Sequence, residues 1–330
     1  MNLLEVRNLN TSFQIGVGTV QAVRDISFHV EEGESLGIVG ESGSGKSVSM
    51  LSVMGLLPDY ARIEAESILF DGREMTRLNA KALRAMHGSE IGMIFQDPMT
   101  SLNPLFTVET QMIEPLKIHR HMNKRQARQR ALELLKQVEI PNPEARLKQY
   151  PHELSGGLRQ RVMIAIAIAC NPKMVIADEP TTALDVTIQA QILDLLQHLK
   201  QETRMSIIMI THDLGVIASM CSRILVMYGG TICEQGSARE IFYQPRHPYT
   251  WGLLNSIPKT QDGPSEKLIP IKGTPPDMLK PPEGCPFSPR CRYCMPVCRS
   301  WAPPVTSLSA THSVSCHLMH PKAPKIEREV

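Results

Sequence analysis

The sequence predicts an α/β fold on a parallel sheet, with a helical insertion and a small C-terminal segment rich in cysteine and proline. Three observations predict it. Over residues 3 to about 254, short β-rich runs alternate with longer helical ones, as when strands are joined through helices. Within that stretch, about residues 97–160 have little strand character and read as a helical insert. Beyond about residue 255 the periodicity fades, and fourteen of the 25 prolines and five of the eight cysteines lie there. A length of 330 residues suits about two domains, or one with a sizeable appendage.

Each element has its own warrant. Residues 22–30 alternate in period two over much of their length, as a half-buried strand does. The run Ser35-Leu36-Gly37-Ile38-Val39 is continuously apolar before a glycine, which suits a parallel strand covered on both faces. Residues 174–177 and 206–210 read the same way and end in polar residues. Over residues 124–138, Ala127, Ala131, Leu135 and Val138 share one helical face, while Lys124, Arg125, Arg128 and Arg130 favour the other. After residue 255, Pro258, Pro264, Pro270, Pro275-Pro276 and Pro281-Pro282 break long helices and disfavour central strands.

Composition excludes several classes. Charge sums to 35 − 33 = +2, so no bias advertises nucleic acid or an anionic membrane. The longest apolar run, residues 162–170, is about half of a membrane span. The start Met1-Asn2-Leu3-Leu4-Glu5 lacks a basic flank and an apolar core, so a cytosolic chain is expected.

Gly40-Glu41-Ser42-Gly43-Ser44-Gly45-Lys46-Ser47 fits the phosphate-loop pattern G-x-x-x-x-G-K-[ST] between a buried strand and a helical run. Its glycines let the backbone wrap a phosphate, with consecutive N–H groups and a helix N-terminus facing the anion. Lys46 is then expected on the β/γ-phosphates and the Ser47 hydroxyl on Mg²⁺. Asp178 and Glu179 close a second apolar strand. Asp178 suits the Mg²⁺ shell and Glu179 suits a general base polarising the attacking water.

Further short motifs complete a family likeness. Leu154-Ser155-Gly156-Gly157 followed by Gln160-Arg161 resembles the signature motif of ATP-binding-cassette (ABC) ATPases. Gln96 resembles the Q-loop glutamine, Ala183-Leu184-Asp185 the D-loop, His212 the H-loop, and Phe13 the aromatic that stacks on adenine. The ordered set spans about residues 3–250. It implies a P-loop NTPase domain over 1–255 with a helical subdomain at about 97–160. It also implies ATP and Mg²⁺ as ligands, and a head-to-tail dimer in which Ser155, Gly156 and Gly157 meet the γ-phosphate held by the other subunit. Gln96 would meet the water and the metal and sense a membrane partner, and His212 would touch the γ-phosphate. Leu158 departs from the glutamine frequent at that position, which bears on side-chain contacts there and not on the backbone anion site.

The C-terminal segment carries Cys285, Cys291, Cys294, Cys298 and Cys316. Disulfides do not suit a cytosolic chain. Thiolates this close in sequence suggest a metal or Fe–S site, and spacing alone favours zinc. Phe-Tyr-Gln-Pro-Arg-His-Pro-Tyr-Thr at 242–250, Gly273-Thr274-Pro275-Pro276 and the Cys-Pro-Phe-Ser-Pro-Arg-Cys run at 285–291 resemble the C-terminal extension of oligopeptide/dipeptide importer ATPases. The resemblance implies an extension over 256–330 in which Cys285, Cys291, Cys298 and Cys316 hold a [4Fe–4S] cluster. Cys294 is left without a role. Its C-x₂-C spacing with Cys291 keeps zinc open, and unmetallated thiols stay open too. Cys170, Cys221 and Cys233 sit in apolar surroundings as ordinary core thiols.

The implied activity is ATP hydrolysis that powers peptide import. The implied partners are a related second ATPase subunit, two membrane permeases and an external solute-binding protein, with no nucleic acid. The chain would lie peripherally on the cytoplasmic face of the inner membrane. Nickel chelates and glutathione-like solutes stay open as cargo. A non-transport ABC ATPase ordinarily carries a fused second cassette or a long coiled-coil insertion, and neither is read in this sequence. A cysteine-based nucleic-acid module lacks aromatic interleaving, since Phe287, Tyr293 and Trp301 are scattered.

Overall fold

The computed structural model describes residues 1–182, 184–256 and 270–326. Ala183 of the D-loop-like triplet, and Pro258 and Pro264, lie outside the described residues. The chain divides into two compact units. One comprises Met1–Asn2, Val30–Ser35 and Arg77–Ile210, and the other Leu3–His29, Leu36–Thr76 and Thr211–Val330.

The first unit is built on parallel strands in the order Ile91–Ile94, Met174–Asp178, Ser206–Thr211, with Ile91 opposite Met174 and Ile176 opposite Ile208. Every residue of Met174–Asp178 is buried. Cover on both faces explains a run that is apolar throughout rather than alternating. The stretch read as a helical insert holds helices Pro98–Ser101, Val108–Arg120, Lys124–Gln137 and Pro143–Leu147, followed by Gly156–Ile168. Asn123 and Gln126 form a reciprocal cap at the start of Lys124–Gln137, which buries Ala127, Ala131, Leu132, Leu134 and Leu135. Arg161, nearly buried, donates from Nη1 to the Val138 carbonyl at 2.8 Å and to the Glu139 carboxylate at 2.9 Å. That pair of bonds ties the helix Gly156–Ile168 to the end of Lys124–Gln137.

The second unit contains an antiparallel sheet ordered Gly18–Glu31, Asn2–Ile15, Ser67–Phe70, Arg73–Glu74, with Ala61–Glu64 also paired to Asn2–Ile15. It is additional to the expected parallel sheet. The alternation of residues 22–30 carried its signal, because strands wet on one face can be joined by tight turns. That alternation changes phase at Asp25, which has φ 51°, so that Val23, Ile26, Phe28 and Val30 are all buried. Elsewhere in this unit Leu36–Val39 runs parallel to Arg223–Tyr228, which pairs antiparallel with Thr231–Ser237. Ser313–Ser315 and then Val305–Ser307 extend that edge. The proline-rich segment therefore adds two short strands at this side of the sheet, Val305–Ser307 outermost, which its composition did not reveal. Edge positions tolerate it because few ladder bonds are required of so short a pairing.

A buried carboxylate secures this edge. Glu234 accepts the backbone N–H groups of Arg246 and His247 at 2.6 and 3.0 Å, and bonds Nε2 of His312 at 2.8 Å. Among the described residues no helix is long and apolar enough to cross a membrane.

Candidate functional site

In the second unit, the strand Ser35–Val39 delivers the chain into the loop 40–47, and the helix Lys46–Met54 leaves it. Gly40 has φ 156°, and a Cβ there would fall 2.2 Å from the Met227 carbonyl oxygen. Gly45, the helix N-cap, has φ 96°, and a Cβ would fall 2.5 Å from the Ala22 carbonyl oxygen. Both positions demand glycine for lack of room as well as for backbone angle. Ser42 and Gly43 are exposed. Lys46 is buried and arches back, donating from Nζ to the carbonyls of Gly40 at 2.8 Å and Glu41 at 3.0 Å. The Ser44 hydroxyl is buried with no hydrogen-bond partner, a polar atom awaiting one. Ser47 opens the helix beside them, half-buried.

Glu41 is held at both ends. Its backbone N–H donates to the Tyr249 hydroxyl at 2.8 Å, and its carboxylate takes two bonds from Arg290 at 2.6 and 3.1 Å. Neither Tyr249 nor Arg290 stood out in the sequence as a partner of this loop. The only sign was their presence in runs that resemble importer ATPases. Phe13, half-buried on Asn2–Ile15, packs 6.1 Å from the Tyr60 ring. His212 is exposed at the end of Ser206–Thr211, where Asp213 caps the next helix by accepting from Gly215 and Val216.

In the first unit, Asp178 is buried at the end of its strand and Glu179 follows with φ 47°, its N–H donating to the Ile210 carbonyl at 2.8 Å. A left-handed glutamate turns the side chain out of the strand direction, and such backbone recurs at functional sites. Its Oε2 accepts from Gln96 Nε2 at 3.2 Å and from the Thr182 hydroxyl at 2.8 Å. Thr182 escaped the sequence reading; its place three residues after Glu179 was the available signal.

Ser155 occupies the N-cap of Gly156–Ile168 with extended backbone, yet its hydroxyl makes no capping bond. Ser155 and Gly156 are exposed at this helix start, where free N–H groups and the positive dipole end favour an anion in general. Gly157 packs against Ile188, where an added Cβ would come within 2.9 Å of a side-chain carbon. Asp185 caps the helix Val186–Thr203 by accepting from Ile188 N–H at 3.0 Å.

All eight cysteines are free thiols. Cys170, Cys221 and Cys233 are buried as read from sequence. Cys285, Cys298 and Cys316 are also buried, and Cys291 is half-buried. Burial above all, aided by the neighbouring thiols, pushes Cys285 up to about 11 and Cys291 and Cys316 up to about 12, and raises Cys298. Among the described residues, however, no three His, Cys, Asp or Glu side chains are disposed to hold a metal ion.

Known proteins bear on this geometry directly. The family described as ABC transporter matches residues 23–182, and the oligopeptide/dipeptide transporter C-terminal region matches residues 233–298. The chain is 53% identical to the oligopeptide transport ATP-binding protein OppD of Bacillus subtilis, over 98% of this chain and 91% of that one. It is 52% identical to the dipeptide transport ATP-binding protein DppD of the same organism, over 97% and 96%. Among solved structures, the dimeric ATP-binding cassette MJ0796 in a post-hydrolysis state with ADP and Pi is similar at TM-score 0.65 and 30% identity, over 72% of this chain and 99% of that one. With its phosphate loop, its carboxylate strand and both family regions in place, the chain belongs to the ABC transporter family and is an ABC-type ATPase with an oligopeptide/dipeptide-type C-terminal region.

Proposed function

We propose that this chain is the ATP-hydrolysing subunit of a bacterial importer of oligopeptides or dipeptides. The observation that carries the reading is likeness to OppD and DppD across almost the whole chain, the C-terminal region included. The proposed cassette spans 1–255, with its helical subdomain at about 97–160, and the extension spans 256–330.

In this reading the loop of Gly40, Glu41, Ser42, Gly43, Ser44, Gly45, Lys46 and Ser47 wraps the β-phosphate with backbone N–H groups, that of Glu41 staying on the Tyr249 hydroxyl. The Lys46 ammonium moves from the carbonyls it now bonds to the β- and γ-phosphates. The buried Ser44 hydroxyl gains a phosphate partner. Ser47, Asp178 and Gln96 serve Mg²⁺, directly or through water. Glu179 takes a proton from the attacking water, while Gln96 and Thr182 orient its carboxylate, and His212 steadies the γ-phosphate. Phe13 stacks on adenine. Ser155, Gly156 and Gly157 cap the nucleotide of a second ATPase subunit, with Asp185 near that junction. The two ATPases dock peripherally, on the cytoplasmic side, on two membrane permeases fed by a solute-binding protein.

Cys285, Cys291, Cys298 and Cys316 are proposed as ligands of a [4Fe–4S] cluster, with zinc the alternative. Three of the four thiols are buried and Cys291 is half-buried, which supports a thiolate site, because a bound cation would stabilise the thiolates that burial otherwise disfavours. Such a group would cross-link a segment with little core of its own. Co-purification with membrane permeases tests the transport reading, and absence of any membrane partner would count against it. A brown absorbance near 400 nm retained only under anaerobic conditions supports Fe–S, while stoichiometric zinc without iron refutes it.

A further inference from the structure

Arg290 lies in the C-terminal segment, 249 residues from Glu41 of the phosphate loop, yet its side chain is 6% exposed and wholly engaged. Its Nη1 donates to Glu41 Oε2 at 2.6 Å and to the Tyr228 hydroxyl at 3.1 Å. Its Nη2 donates to Glu41 Oε1 at 3.1 Å and to the Ile271 carbonyl at 3.0 Å, and Nε donates to the Lys272 carbonyl at 3.0 Å. A guanidinium has five N–H donors, and here each has a partner. The fork-to-fork pairing with Glu41 is the strongest arrangement open to an arginine and a carboxylate.

The surroundings fix Arg290 in turn. Phe287 packs 5.2 Å from the Tyr228 ring and 5.3 Å from the Tyr249 ring, and its carbonyl accepts the Arg290 N–H at 3.0 Å. Pro286 closes on Gly229, where an added Cβ would fall 2.9 Å away. Gly230 donates to the Ser44 carbonyl at 3.1 Å. A small pocket is lined jointly by Glu41, Ser44, Pro275, Pro276 and Met278, so the extension borders the loop itself.

The phosphate-loop pattern leaves position 41 free, so nothing in phosphate binding calls for a carboxylate there. A lone anion beside the seat of a triphosphate would repel it. We propose that Arg290 is a positioning residue for nucleotide binding. It neutralises Glu41, turns the carboxylate away from the phosphates and, with Tyr249, pins the start of the loop to the extension. The inference rests on the nucleotide reading of the loop and goes beyond it by making the C-terminal extension part of the ATP site's support.

The test is steady-state MgATP hydrolysis by the full chain carrying Arg290→Met, Arg290→Lys, or Glu41→Gln with Arg290→Met. Arg290→Met is expected to raise KM for MgATP about tenfold with kcat within about twofold, which is ground-state binding lost. Arg290→Lys keeps the charge without the fork and falls between. The double variant recovers to within about threefold of wild-type KM, because removing the carboxylate removes the repulsion. A structural role alone would make the double variant no better than Arg290→Met, and that result overturns the proposal. So does an unchanged KM in a folded Arg290→Met protein. If Arg290→Met does not fold, Arg290→Lys with and without Glu41→Gln carries the same comparison. Failure of the wild-type chain to hydrolyse MgATP at all would instead strike the nucleotide reading.

Discussion

Gln96 and Glu179, 83 residues apart in sequence, meet through a hydrogen bond from the glutamine amide to the glutamate Oε2 at 3.2 Å. The same oxygen accepts the Thr182 hydroxyl at 2.8 Å, so the carboxylate is aimed from two sides before any nucleotide arrives. A side chain oriented in advance spares the reaction that ordering step.

Glu179→Gln therefore keeps the shape of the site while removing the carboxylate proposed as the base. Turnover should fall roughly 10²–10⁴-fold. ATP-dependent dimers should persist, and size-exclusion chromatography with ATP reads them. Wild-type turnover in this variant would remove Glu179 from the role of base.

Thr182→Val deletes one of the bonds that orient Glu179. kcat should drop by about tenfold, the equivalent of ~1.4 kcal/mol, with little change in nucleotide affinity. Single-turnover hydrolysis alongside equilibrium ATP binding separates the two. A loss confined to binding would contradict the orienting role.

Gly40→Ala places a methyl group where the Met227 carbonyl oxygen lies 2.2 Å away. Backbone on both sides must move, so stability should fall by about 1–3 kcal/mol, and MgATP binding should weaken with it. Urea unfolding followed by circular dichroism measures the first, and fluorescent-nucleotide titration the second. A wild-type unfolding midpoint would show that the loop yields more easily than this crowding allows.

Acid should weaken the second unit in two windows. His247 is buried and its Nδ1 accepts the Tyr249 N–H; desolvation, only partly opposed by the Glu234 carboxylate, depresses it to about 4. The folded form excludes a proton that the unfolded chain takes up, so stability is lost as pH falls from about 6.5 towards 4. Glu240 loses some hydration, but bonds from Ser309, Ser237 and Thr311 outweigh that and bring it to about 2. Its contribution is present above about 4.5 and disappears as pH falls towards 2. Thermal midpoints across pH 3–8 should show the upper window flattened in His247→Asn, which can still cap its helix. An unaltered profile in that variant would remove His247 as the source.

The loop proposed to hold phosphate was legible because its backbone constrains the local chain. Gly40 and Gly45 stand where backbone crowding admits nothing larger, and Lys46 and Ser47 follow at fixed offsets, so eight consecutive residues declare themselves. Buried parallel strands were legible for a related reason, since cover on both faces leaves 174–177 no polar position. What the sequence could not disclose is long-range pairing. No local pattern joins Arg290 to Glu41 or Gln96 to Glu179, because those bonds are set by how distant segments fold together. The strands Val305–Ser307 and Ser313–Ser315 were hidden differently: three residues are too few for a period to register.

The most direct test of the whole account is uptake. The chain is reconstituted in vesicles with the second ATPase and the two permeases proposed for it, with ATP on the side of the ATPases and the proposed binding protein plus labelled peptide on the other. The account predicts peptide accumulation that requires hydrolysable ATP and vanishes when Glu179→Gln is placed in this chain and the matching substitution in its partner. ATP hydrolysis at the wild-type rate with no peptide crossing the membrane would contradict it.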